Sequence, residues 1–375
     1  MHKLSKYPIL LFLYCAAALF TLYYCKNDKQ QPVYEDLGSV KNRILKTNAD
    51  FEKQINELKT LVSTDSDEKL LQEKFQDLRK TYKTMEWAVE YFLPHSARFI
   101  NGPALPEIEM DEHTEIEPEG LQVLEEMLYP YDKGNKQEVI RMLNKLINKS
   151  NTIATNFQVI TISKDQVFDA LRQEAFRISS LGISGFDTPI SGTFLREMPS
   201  SLEGIKETLR QISTRRSKDK ALKSIVTEIN STIEVLKRNT DKNTFDYANF
   251  IPDHLNKITA LMLDFKNQEN IPDVEVTTAL NKNAATFFSK NAFNPNAFTP
   301  GKEYAFTEEK AALGHQLLMI KFYPTATTEA AQHVIFLRKP LQMALPEPCP
   351  LKILNWREIH LLLTIQGISM VSFGI

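Results

Sequence analysis

Apolar residues recur with helical period over most of the chain up to Leu317. Leu71, Phe75, Leu78, Tyr82, Met85, Val89 and Phe92 are spaced four, three, four, three, four and three apart, which predicts one long helix with a single apolar stripe. Asp65, with Glu68 three residues on, predicts its start, and Pro94 its stop. Val40, Ile44, Phe51, Ile55, Leu58 and Val62 predict a partner helix upstream. Further amphipathic stretches run through 121–128, 139–147, 153–181, 202–212, 221–236 and 255–265. Short polar links between long helices point to antiparallel packing. No run alternates with period two for long enough to predict a sheet, so the expected fold is mostly α, one or more antiparallel helical bundles.

Two irregular stretches interrupt this pattern. Residues 93–118 hold Pro94, Pro103, Pro106 and the acidic set Glu107, Glu109, Asp111, Glu112, Glu115 and Glu117, for which a solvated loop of like charges is favoured over a cation site. Residues 181–200 hold Gly182, Gly185, Pro189, Gly192 and Pro199. Beyond the helices, 281–304 is rich in Asn, Phe and Pro and reads as an extended connector whose aromatics lie on a neighbouring surface. A new helix then opens, with Thr307 as its N-cap and acids in its first turn. From Leu318 to Ile375 no structural period holds.

The N-terminus stands apart. His2, Lys3 and Lys6 precede an uncharged run from Tyr7 to Cys25 that is long enough to cross a bilayer. It predicts an export signal, an uncleaved anchor or, at Cys25, a lipid attachment site, although Tyr24 stands where a lipoprotein carries a small residue. Residues from Lys26 onward are therefore expected outside the cytoplasmic membrane, on the periplasmic side or in the cell envelope, tethered through this run. The net charge of −2 gives no support for a nucleic-acid partner. Beyond Cys15 and Cys25 only Cys349 remains, which excludes a disulfide framework in the body.

The most site-like segment is 118–129. Gln122 and Glu125 lie three apart, share one helix face, and need partners if that face enters a core. Gly120-Leu-Gln-Val-Leu-Glu125 resembles the G-x-H-x-x-E motif of imelysin-like proteins, which are helical, exported and proposed to bind metal. Here Gln122 replaces the histidine, and an amide is a much poorer transition-metal ligand than imidazole. Gly120, Gln122 and Glu125 form the candidate polar site, with hydrogen bonding between helices as its favoured role and no metal assigned. His95, His113 and His254 have no second ligand at metal-binding spacing, and no nucleophile motif, phosphate loop or H-E-x-x-H is present.

A wider resemblance covers most of 40–317. The segments 91–103 (Y-F-L-P-H-S-A-R-F-I-N-G-P), 118–126 (P-E-G-L-Q-V-L-E-E), 292–298 (A-F-N-P-N-A-F) and 312–314 (A-L-G) resemble a bacterial group in which an exported helical domain precedes a di-haem cytochrome c peroxidase module. In that group a C-x-x-C-H haem-attachment motif follows soon after Ala-Leu-Gly, because two thiols bind the haem vinyls while the histidine ligates iron. No such motif stands in frame here. Reading the third base of each codon with the first two of the next changes this. Residues 319–324 then permit Y-D-K-I-L-S, 329–335 permit S-C-A-T-C-H, 335–344 permit F-P-E-K-A-F-T-D-G, and 355–363 lead into L-A-G-N-T-P-T-L-N. The aspartate after Met319, the glycine after Met343 and the leucine after Asn355 are forced by the code.

The expected organisation is a signal or anchor (1–25), a helical bundle (36–280), a linker (281–304), the start of a cytochrome c domain (305–317) and an out-of-frame tail (318–375), poorly ordered. The resemblance implies an intact relative that carries haem c, takes electrons from a small redox protein and reduces hydrogen peroxide. The chain as written is expected to have no catalytic residue, no in-frame haem ligand and no bound cofactor. The alternative is an exported imelysin-like helical module that binds a metal or a protein partner.

Overall fold

In the computed structural model the described residues are 37–319, apart from 110–113, 215–219, 277 and 291. The expected anchor with Cys25, His113, and the tail from 320 onward with Cys349 lie outside them. The fold is mostly α, and the bundle expectation holds. Helix α1 (Gly38–Ser63) buries Val40, Ile44, Phe51, Ile55, Leu58 and Val62, and α2 (Glu68–Phe92) buries the stripe from Leu71 to Val89. The two are joined by a four-residue turn and pack side by side. After α3 (Pro94–Asn101) and a pair of short strands come α4 (Leu121–Leu128), α5 (Lys136–Val159), α6 (Lys164–Arg177), α7 (Phe194–Ile212) and α8 (Lys220–Arg238). The short α9 (Tyr247–Phe250) leads through a widened turn into α10 (Asn256–Glu269), and α11 (Glu308–Met319) follows the connector.

Helix α2 is the centre of the assembly. It packs on α1, which also carries α5, and its other sides meet α7 and α6. Helices α8 and α10 extend the bundle from α7 and α6. Because α2 is enclosed on more than one side, its charged residues Arg79, Lys83 and Glu86 are buried along with its apolar stripe.

Several boundaries differ from the sequence pattern. The cap of α2 is Asp67, whose carboxylate accepts from the Lys69 amide at 3.0 Å, whereas Asp65 adopts a left-handed φ of 56° and accepts from Lys136 at 2.9 Å. The stop expected at Pro94 holds, since α2 ends at Phe92 with Leu93 out of helical conformation, but Pro94 also opens α3, in whose first turn its missing N–H costs no helix bond. The run 153–181 is two helices, divided by Ser163, which caps α6 in a reciprocal box with Gln166. In the stretch read as a solvated loop, Glu107–Glu109 pairs antiparallel with Thr114–Ile116. Strands of three residues are too short to display a period.

The connector is laid onto α6. Arg172 donates to the carbonyls of Asn281 (2.8 Å) and Ala284 (2.7 Å), and Phe287 packs edge-on against Phe176 at 4.7 Å and stacks with Phe293 at 5.7 Å. Phe288 points away and is 78 % exposed. Thr307 caps α11 by accepting from the Lys310 amide at 3.2 Å. Among the described residues no helix is long and apolar enough to cross a membrane.

Candidate functional site

Charged side chains are gathered in the interior of this bundle. On α2, Arg79, Lys83 and Glu86 are all buried, and Glu90 lies next on the same stripe. Their spacing of four, three and four parallels the apolar stripe one residue behind it. Across from them α6 contributes Glu174 and Arg177, α7 contributes Glu197, and the irregular segment 183–193 contributes Asp187 and Ser191.

Two linked sets result. In the first, Lys83 donates to Glu86 (2.7 Å) and Asp187 (2.5 Å), while Arg177 contacts Asp187 (2.9 Å), Glu86 (3.2 Å) and Glu90 (3.7 Å). Asn101, at the end of α3, donates its amide to Glu86 (3.1 Å) and to Asp187 (2.9 Å). In the second, Arg79 grips Glu197, Thr193 donates to Glu197 at 3.0 Å, and the Ser191 and Thr193 hydroxyls lie 3.0 Å apart. Ser191 in turn gives both its backbone amide (3.0 Å) and its hydroxyl to Glu125.

The candidate residues of α4 stand between these sets. Gln122 and Glu125 are both buried, on the face that enters the core. Gln122 donates to the Asn101 carbonyl at 3.1 Å, beside the first set, and Glu125 fastens the 183–193 segment from the second. Gly120 adopts φ 105°, and a Cβ there would come within 2.2 Å of the Phe99 carbonyl oxygen, so α4 begins against α3 only with glycine. Among the described residues no three His, Cys, Asp or Glu side chains gather so as to hold a metal ion. His95 is exposed and His254 pairs with Glu228 at 2.9 Å, both away from this interior.

Electrostatics divide the carboxyls. Burial works to raise Asp187, but Arg177 and Lys83 overcome it and hold the carboxyl well below the usual range. Burial pushes Glu90 up to about 7 against the pull of Arg177, and raises Glu174 well above the ordinary value, with the Glu86 carboxylate adding to the effect. Glu125 is raised by burial, opposed by its Ser191 hydrogen bonds. Both Glu174 oxygens, the Tyr82 hydroxyl, Arg79 Nη1 and Asn101 Oδ1 are buried without a hydrogen-bond partner in the protein. Such orphans are rare in a finished core.

No family model matches the chain, and no curated protein matches it. A solved structure similar to it is an imelysin-like protein from Psychrobacter arcticum 273-4, 16% identical, with the likeness covering 63% of this chain and 93% of that one at a TM-score of 0.49.

Sequence reasoning located Gln122 and Glu125 but missed Arg79, Lys83, Glu86, Glu174, Arg177, Asp187 and Glu197. The signal for four of the interior groups was present on α2 as a second helical stripe, of charged residues, flanking the apolar one. Asp187 carried none, since it lies on an irregular segment and only tertiary packing brings it to α2 and α6.

Proposed function

We propose that the helical body is an exported binding module of imelysin type, tethered outside the cytoplasmic membrane through residues 7–25, whose site is the charged interior roofed by residues 183–193. One observation carries the reading. Buried ion pairs are seldom worth more to stability than an apolar core of the same volume, yet this bundle gathers charged side chains from α2, α6, α7 and an irregular segment around its centre. The roof meets that interior through polar contacts of Asp187 and Ser191 and through the apolar side chains of Ile183 and Phe186. Gly120, Gln122 and Glu125 shape and fasten the site. Of the two ligand classes, a protein partner suits the geometry better than a metal, because Glu125 accepts from Ser191 at Oε1 and from the Ile190 amide at Oε2, and Gln122 donates its amide to the Asn101 carbonyl.

Hydrogen exchange on the full chain tests this. Residues 183–193 should open at least ~10-fold more often than α2 and α6, as binding-site segments are drawn from the low-stability end of a fold. Equal protection of roof and helices would remove the site. Calorimetry with ferrous, ferric and calcium ions addresses the metal alternative. Ion binding that disappears in Glu125→Ala would restore it.

A second reading concerns the gene, and the overlapping code supports it: the shifted letters S-C-A-T-C-H and their neighbours fall in order along 319–363. On this reading the gene encodes a di-haem cytochrome c peroxidase of which this chain holds the helical domain and an aborted haem domain, without haem c. Purified protein should be colourless, and a frame-corrected version should show two haems. A clean nucleotide sequence across the codons for Gln316 to Met319 that does not open the shifted frame excludes it.

A further inference from the structure

Asp187 sits in a complete carboxylate seat contributed by three other segments. Arg177 on α6 approaches edge-on, Nη1 donating to Oδ2 at 3.1 Å and Nη2 to Oδ1 at 2.9 Å. Lys83 on α2 donates to Oδ2 at 2.5 Å, and Asn101 Nδ2 to Oδ1 at 2.9 Å. The Lys83, Asp187 and Arg177 side chains are 6 %, 2 % and 13 % exposed. A two-point guanidinium with an ammonium and an amide is the donor set that recognises a carboxylate, whatever chain carries it.

The charge balance of the seat singles out the same ligand. The groups facing it are Lys83, Glu86 and Glu90 with Tyr82 from α2, Glu174 and Arg177 from α6, and Asp187 from the roof. Burial favours the neutral form of Glu174 and pushes Glu90 up to about 7. When both are neutral, Lys83 and Arg177 are matched by Glu86 and Asp187. Withdrawing Asp187 leaves one positive charge uncompensated in a buried site, where an unpaired charge is costly. The open seat therefore calls for one negative group.

The segment that fills it is irregular, and Phe186 and Thr188 are buried on either side of Asp187. Asp187 is on no helix or strand; it lies between Gly185 (φ 79°) and Gly192 (φ 64°), backbone conformations that side chains disfavour. A widened turn of π type, Ile178–Gly182, follows directly after Arg177 and feeds the segment. Its Ile190 is 44 % exposed.

We propose that residues 183–193 are a displaceable roof in which Asp187 stands in for a partner's carboxylate, and that the ligand of this module is an aspartate or glutamate side chain presented by an acidic protein segment. This rests on the reading of the charged interior as the binding site, and adds to it the chemistry of the partner.

The test uses the full chain, with acetyl-aspartyl amide as probe and acetyl-asparaginyl amide as its uncharged control. Asp187→Asn removes the internal competitor at nearly constant shape. It should bind the aspartyl probe about tenfold or more tighter than wild type, since apparent affinity rises with the fraction of open seats. The asparaginyl probe should bind neither protein. Adding Arg177→Lys to Asp187→Asn should cost the two-point hold and about tenfold in affinity. Ser191→Ala, outside the seat, gives an independent route: it loosens the roof at Glu125 and should raise aspartyl binding in a chain whose seat is intact. Equal binding of the two probes to Asp187→Asn overturns the proposal. So does a Ser191→Ala roof that exchanges faster yet leaves aspartyl binding unchanged. A roof that never opens in ligand-free protein removes the parent reading instead, which keeps the two failures apart.

Discussion

Arg79 and Glu197 meet in a two-point ion pair, Nε to Oε1 at 2.8 Å and Nη2 to Oε2 at 3.0 Å, with side chains only 1% and 2% exposed. The pair ties the central helix α2 to α7, and through Thr193 and Ser191 it reaches Glu125 on α4. Removing one partner strands a buried charge. Arg79→Met should therefore lower unfolding free energy by roughly 3–5 kcal/mol in denaturant melts. The double variant Arg79→Met/Glu197→Leu should recover most of that loss, because it removes both charges and leaves apolar volume. If the single and double variants are equally damaged, the pair is not the source of the loss.

Gly120 makes a different kind of demand. Its φ of 105° and the 2.2 Å approach of a built Cβ to the Phe99 carbonyl leave no room for a side chain. Gly120→Ala is expected to destabilise by more than about 1 kcal/mol, since backbone strain adds to the clash. It should also shift α4, so the Gln122 and Asn101 amide signals should move in NMR spectra. A spectrum unchanged around Asn101 would mean that α4 tolerates the methyl group and that Gly120 is not what sets its position.

The long helices were legible because burial on one face writes a period into the chain. Every residue of the stripe from Leu71 to Val89 is buried as that period requires. The interior site was not legible for the same reason. Charged residues on a helix ordinarily mark its solvated face, and on α2 the face of Arg79, Lys83 and Glu86 is covered because other helices enclose it. The missed start of α7 has another cause. Phe194–Ile212 begins inside a stretch rich in glycine and proline and carries Pro199 within it, so local composition argued for a loop while packing made a helix.

The break between α5 and α6 offers a modest test of capping. Ile160 and Ile162 continue the apolar pattern across it, so periodicity alone runs one helix through. Ser163 decides otherwise, receiving the Gln166 side chain on its backbone amide at 3.1 Å while its hydroxyl serves the first turn of α6. Ser163→Ala should cost about 1 kcal/mol in thermal or urea unfolding. Ser163→Asp should restore it, because aspartate caps as well and favours the positive helix N-terminus. A stable Ser163→Ala protein would place the break in tertiary packing and not in the cap.

Two of the raised carboxyls, Glu90 and Glu174, predict an unusual pH profile. Glu90 titrates at about 7 when folded against an ordinary value of 4.5, and Glu174 is displaced in the same direction. A carboxyl whose folded pKa is raised favours the folded state only while it is protonated. Below about 4.5 both states hold the proton and the term vanishes; between 4.5 and 7 the unfolded chain ionises first and stability falls; above 7 the loss from Glu90 is complete. For Glu90, whose side chain is 24 % exposed, this is on the order of 3 kcal/mol or less, taking ~1.36 kcal/mol per pKa unit and discounting for solvent. Glu269 runs the opposite way. Burial opposes its ionisation, yet Lys164 at 2.9 Å and the Thr214 amide and hydroxyl hold it at about 2, so its stabilisation is present above 4.5 and lost as the pH falls to 2. Stability measured by urea midpoint should therefore peak in mildly acidic solution and decline from pH 5 to 8, where most proteins are near their maximum. Glu90→Gln should flatten that decline, because the amide keeps the size of the protonated acid and has nothing to ionise. A wild-type midpoint that is constant over this range, or a decline that Glu90→Gln leaves untouched, would show that Glu90 ionises in the folded protein without the penalty that its burial implies.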